Sequence, residues 1–149
     1  MCEFLCSPFG QLGFGQQPSL DGPCNHEMPK LKHLLCSIEH ADSSVPFCEY
    51  GTSYSDGLVQ TYIVAPPTPV PFTLHLSSTG YIAPGLAMFV FMDGVYQCNR
   101  NIDGLAPPSE ATDMGQTEVE FRVRQREQML NNDTWIGREW RFEEFNIGI

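Results

Sequence analysis

The chain has 149 residues, 42% of them hydrophobic, and its 18 Asp and Glu against 8 Lys and Arg give a formal net charge of −10. Its length fits one domain, or one domain with a tail, and surface scaling lets about two thirds of the unfolded chain's surface be buried, so a core needs neither metal nor disulfide support. The charge excludes a protein whose whole surface grips phosphate backbones, because that mode needs many cations to displace counterions, and it leaves protein or small-molecule partners.

The first residues, Met1-Cys-Glu-Phe-Leu-Cys6, include an acid and run straight into Pro8 and Gly10. A secretory signal needs a basic start and an unbroken apolar run. No segment approaches the roughly 18 to 20 apolar residues that span a bilayer. The expectation is an intracellular protein, cytoplasmic or nuclear, without a membrane segment. In that setting the six cysteines (Cys2, Cys6, Cys24, Cys36, Cys48 and Cys98) are expected as reduced thiols, and the triplet Asn132-Asp-Thr134 as an unused glycosylation match.

Composition divides the chain into an arm, residues 1–44, and a domain, residues 45–149. Glycines and prolines from Pro8 to Pro29 break every element in the first part of the arm. After Pro29, Leu31, Leu34, Leu35 and Ile38 fall at helical spacing and predict a short helix, or else a strand over Leu34 to Ile38.

From Val45 onward, Gly and Pro recur about every ten residues between β-branched and aromatic runs, which predicts an all-β antiparallel sandwich or jelly-roll-like domain. Leu58 to Ala65 is the first clear strand, ended by Pro66-Pro67-Thr-Pro69. In Phe72 to Ser77 the alternation sends Phe72, Leu74 and Leu76 to one side and Thr73, His75 and Ser77 to the other. Leu86 to Phe91 is apolar at both parities and reads as a central strand, followed by Asp93-Gly94, the dipeptide of a type I′ hairpin. Asn99 to Gln116 reads as a long loop. Thr117 to Glu127 reads as one half-buried strand, with Val119, Phe121 and Val123 opposite Glu118, Glu120, Arg122 and Arg124. Leu130 to Thr134 is a turn cluster, and Trp135 to Phe142 returns as a strand with Trp140 and Phe142 on one face. Phe89, Phe91, Phe121, Trp140 and Phe142 are expected in the core. After Glu143-Glu144, the residues Phe145, Ile147 and Ile149 resume the alternation on shifted parity, as a bulge or a new strand.

The segments Val45-Pro-Phe-Cys-Glu-Tyr-Gly51, Gly80-Tyr-Ile-Ala-Pro-Gly-Leu86, Met92-Asp-Gly-Val-Tyr-Gln-Cys-Asn-Arg100 and Trp135-Ile-Gly-Arg-Glu-Trp-Arg-Phe142 resemble an uncharacterised domain family of filamentous fungi. The likeness covers about residues 45–149. It implies a β-sandwich and a fungal intracellular setting, and it carries over no catalytic residue.

Cys24, His26, His33 and Cys36 have the count of a tetrahedral zinc site, although Cys-x-His is a tight spacing, and unligated thiols and surface imidazoles are the preferred reading. His75 near Ser77 lacks a Gly-x-Ser-x-Gly elbow, and Gly10-Gln-Leu-Gly13-Phe-Gly15 has no preceding strand or following Lys-Ser, so no enzyme and no cofactor are expected. Residues 1–117 hold three basic side chains against eleven acids, while residues 118–149 hold five arginines against seven acids. Arg122, Arg124 and Arg126 could then form a stripe for an acidic partner or for another copy; the plainer reading pairs them with Glu139, Glu143 and Glu144. Tyr50, Tyr54 and Tyr81, placed in Gly-rich loops, are candidates for recognition. The expected function is a non-enzymatic module for binding a protein partner or for self-association, with a small-ligand or carbohydrate-binding jelly roll as the second reading and a zinc-binding arm as the third.

Overall fold

The structure is a computed structural model that describes residues 3–5, 28–64, 66–109, 117–131 and 134–143. In chain order the strands are β1 (Glu3–Leu5), β2 (Lys30–Leu31), β3 (Leu34–His40), β4 (Glu49–Ser55), β5 (Leu58–Ile63), β6 (Val70–Ser78), β7 (Gly85–Met92), β8 (Val95–Asp103), β9 (Glu120–Val123), β10 (Gln125–Met129), β11 (Trp135–Glu139) and β12 (Arg141–Phe142). The fold is all-β, with no helix among the described residues.

β6 is the axis of the main sheet. One of its edges pairs along its length with β3, from Phe72 opposite His40 to Ser78 opposite Leu34, and β2 continues the sheet beyond β3. The other edge is shared end to end by β9, which covers Leu74 to Ser77, and β12, which covers Val70 and Pro71. Between these two short strands the chain leaves the sheet as the β10–β11 hairpin. The hairpin is pinched at its base, where the Trp140 N–H donates to the Arg124 carbonyl (3.0 Å) and the Phe72 N–H donates to the Trp140 carbonyl (3.0 Å). β7 and β8 form a second hairpin, while β4 pairs antiparallel and β1 parallel with β5.

Alternation places the core. Phe72, Val90, Cys98, Val123 and Trp140 form the buried cluster, and Ile38, Phe47, Leu74, Met88, Met92 and Phe142 pack against it. The inner face of the β7–β8 hairpin therefore lies over one face of the β6-centred sheet, making the two layers of a sandwich. Ring contacts knit the base of this core: Phe72 lies 4.6 Å from Phe142 and 5.9 Å from Trp140, and Phe47 lies 5.4 Å from Phe142, between centroids. Asp93 (φ 51°) and Gly94 (φ 75°) both take the left-handed region that the β7–β8 turn was expected to demand.

Several expectations are corrected. Of the two readings after Pro29, the helix is not formed and the strand over Leu34 to Ile38 is, as β3; its leucines pack as strand residues because β6 supplies ladder partners along its whole length. Leu34–His40, grouped by composition with the arm, thus lies inside the main sheet. Glu49–Ser55 is a strand, so Tyr50 and Tyr54 are not loop residues. β8 runs on to Asp103 and shortens the loop expected from Asn99. The strands expected over 117–127 and 135–142 are each broken, at Arg124 and Trp140, where the hairpin departs. β7 is not a central strand: among the described residues it pairs only with β8, and Phe89 and Phe91 face outward. Residues 145–149, with their shifted alternation, lie outside the described residues.

Candidate functional site

The face of the main sheet opposite the core is polar. Along β6, Thr73, His75 and Ser77 point to it, and the register sets His75 between Ser37 of β3 and Arg122 of β9. Glu39, two residues beyond Ser37 and therefore on the same face, is 3% exposed. Its carboxylate accepts from His75 Nδ1 at 2.7 Å, from Ser37 Oγ at 3.4 Å and from Arg122 Nε at 3.5 Å. Because a carboxylate only accepts, the imidazole proton is assigned to Nδ1. Arg122 Nη1 also donates to Glu120 Oε1. His75 Nε2 lies 3.3 Å from that same oxygen, within ion-pair range but off the hydrogen-bond direction, and is buried without a hydrogen bond.

This network joins three neighbouring strands, yet its order does not fit nucleophilic catalysis. A triad places the hydroxyl on the imidazole nitrogen opposite the carboxylate. Here Ser37 sits on the carboxylate itself, and Nε2 faces a second carboxylate. Beside Glu120 lies an open polar hollow of about 440 Å³, lined by Ser77, Ser78, Thr117, Glu118, Val119 and Glu120. Its wall is held by the Val119 N–H donating to Ser78 Oγ at 2.9 Å and the Ser78 N–H donating to the Val119 carbonyl at 2.9 Å.

The three arginines singled out by sequence take different places. Arg122 belongs to the network. Arg124 is exposed at the base of the hairpin, and Arg126 of β10 stands directly opposite Arg138 of β11. Among the described residues Arg124, Arg126, Arg138 and Arg141 make no ion pair, so the expected pairing of the stripe with Glu139 and Glu143 is not formed, and Glu144 lies outside the described residues. The tyrosines do not converge. Tyr54 is exposed on β4, its hydroxyl accepting from the Lys30 N–H at 3.4 Å; Tyr50 is half-buried on the same strand; and Tyr81 is half-buried in the segment before β7. No hydrogen bond or ring contact joins any two of them.

Cys24 and His26 lie outside the described residues. His33 is exposed in the turn before β3 and Cys36 is half-buried on that strand, and among the described residues no group of three or more His, Cys, Asp and Glu stands ready to hold a metal. Cys48 is disulfide-bonded, which corrects the expectation of reduced thiols at that position; Cys36 and Cys98 are thiols. Burial pushes the Cys98 thiol up.

Four features are not legible in the sequence pattern. The outer face of the β7–β8 hairpin carries Phe89 (58% exposed) and Phe91 (57% exposed), with Tyr96 packed edge-on against Phe91 at 5.7 Å. The far end of the β10–β11 hairpin exposes Met129, Leu130 and Trp135. Arg100 of β8 donates to Glu127 of β10 at 2.6 Å, tying the two hairpins together; this bond raises the Arg100 pKa, and burial opposes it. Because Leu86 to Phe91 is apolar at both parities, period alone could not say which face would be covered. Glu49 of β4 is the fourth feature: it is buried, its Oε2 has no hydrogen-bond partner, and burial pushes its pKa up to about 7 against an opposing hydrogen bond from Thr61. No protein-family model, curated protein or solved structure matches the chain.

Proposed function

We propose that the chain is a non-enzymatic β-sandwich module that associates with a protein partner, a second copy of itself included, through the outer face of its β7–β8 hairpin. The observation that carries this reading is Phe89 and Phe91, more than half exposed on a strand whose other face is in the core. A sheet with one buried face ordinarily turns polar residues outward, and a contiguous exposed aromatic group is the mark of an interface. Tyr96 adds a ring with a polar tip on the same face, the residue type that interfaces favour.

Sedimentation velocity across a concentration series tests the reading, alongside cross-linking in extract. Wild type is expected to associate or to cross-link to a partner, and a double Phe89→Ser and Phe91→Ser variant to lose that contact while keeping its far-UV spectrum. A wild type that stays monomeric, with the same cross-linked set in the variant, would sink it. The disulfide at Cys48 favours an oxidising setting over the reducing one inferred from the sequence. Alkylating the natively purified chain, with and without prior reduction, and weighing it decides between them: a thiol at Cys48 in the unreduced sample restores the intracellular reading.

A further inference from the structure

We propose that the β10–β11 hairpin is a docking site for an extended acidic protein segment, which adds as a strand to the outer edge of β11 with its carboxylates on Arg138 and Arg126. The inference rests on the interaction-module reading but uses a different surface from the aromatic face of β7–β8.

Two independent observations meet on this hairpin. Arg126 and Arg138 are register partners on adjacent antiparallel strands, both exposed, with no ion pair among the described residues. Like charges directly opposite one another destabilise a sheet. A single arginine on an edge discourages unwanted pairing, but a second one facing it costs stability without adding to that protection. A carboxylate partner turns the cost into two charge-assisted, fork-shaped contacts. The second observation is the edge itself: β11 pairs only with β10, so its other side offers ladder groups with no strand partner among the described residues. An added strand would lie about 4.8 Å from β11 and roughly twice that from β10, within reach of a guanidinium on its long stem. Ile136, two residues before Arg138 and on the same face, is half-buried and offers a place for an apolar side chain between the acids. Ladder pairing along β11 needs a partner with backbone N–H and C=O groups, which a protein segment has and a polyphosphate lacks.

The test uses the full chain and a fluorescent peptide alternating Glu and Val, with the Lys and Val counterpart and a short DNA duplex as comparisons, read by anisotropy. Binding of the acidic peptide is expected, weakening as salt screens the contact. Arg138→Glu should lower that affinity by about tenfold or more, the loss of a charge-assisted pair replaced by repulsion. The same substitution should raise the melting temperature, because Arg126 gains a carboxylate across the strand. A variant that binds less while being the more stable cannot be explained by misfolding. Lys32→Gln, on the exposed turn between β2 and β3, should leave binding unchanged. No binding of the acidic peptide, unchanged affinity in Arg138→Glu, or preference for the duplex overturns the proposal. If the peptide fails while the Phe89 and Phe91 variant still loses its association, this inference falls and the module reading stands.

Discussion

Two buried glutamates define the electrostatics of single residues in this protein, and their environments are opposite. Glu39 is surrounded by donors, from His75, Ser37 and Arg122. Removing a buried carboxylate that organises its partners leaves those donors unsatisfied, so Glu39→Ala should cost about 2 to 4 kcal/mol in chemical unfolding, with Glu39→Gln losing less. Glu49 has burial without adequate partners, and its pKa stands at about 7. The folded state therefore holds a proton that the unfolded chain releases near pH 4.5. Stability is undiminished below about pH 4.5, falls as pH rises from there to about 7, and is level above, at roughly 1.4 kcal/mol per pH unit at most. Glu49→Gln should remove that slope. Urea midpoints at pH 5 and pH 8 should differ in wild type by more than in the variant; equal differences would show that Glu49 is not the group responsible.

At the scale of elements, place along a strand decides which substitutions matter. Val123 of β9 and Val95 of β8 are the same residue type in the same fold, one at 2% exposure in the core cluster and the other at 51% beside the β7–β8 turn. Val123→Ala should cost about 2 to 3 kcal/mol, from lost apolar burial plus the cavity left behind, while Val95→Ala should change stability by about 0.5 kcal/mol or less. The turn is equally specific. Gly94→Ala forces a Cβ into the left-handed region and should cost about 1 kcal/mol, whereas the neighbouring Asp93, already at φ 51°, belongs to a residue type that tolerates that region. Paired denaturation curves on the three variants check both statements. The hairpin signal at Asp93-Gly94 was legible because it is local: two residues dictate the backbone. The departure of β10–β11 from the main sheet was not, because Arg122, Arg124 and Arg126 keep a perfect alternation through the break. What parts β9 from β10 is the pinch of Arg124 and Trp140 beside Phe72, contacts between residues far apart in sequence.

For the whole molecule, the two tryptophans report the division between sandwich and projecting hairpin. Trp140 sits in the core and Trp135 is 63% exposed at the hairpin's far end. Acrylamide should quench roughly half of the emission readily, the share of one exposed indole of two, and Trp135→Phe should leave a blue-shifted, protected signal. Equal quenching of both rings would contradict this arrangement. The molecule also separates its surfaces by chemistry: an aromatic face on β7–β8, an arginine face on β10–β11, and the polar face of the main sheet with Glu39 and His75. In the sequence the last two run together, because Arg122 and Arg126 belong to one alternating run.

Local pattern by itself determined the all-β class, the strands around Leu58, Phe72, Leu86 and Trp135, the type I′ turn, and the side of β6 on which His75 lies. Each follows from side-chain period or from the backbone demands of one or two residues. Only the tertiary structure decided that Leu34–His40 is a strand, that Phe89 and Phe91 face outward, that Glu39, His75 and Arg122 meet, and that Arg126 opposes Arg138. These depend on which strand pairs with which and on what covers each face. Both are set by the partners that long-range pairing supplies, a quantity that no window of neighbouring residues contains.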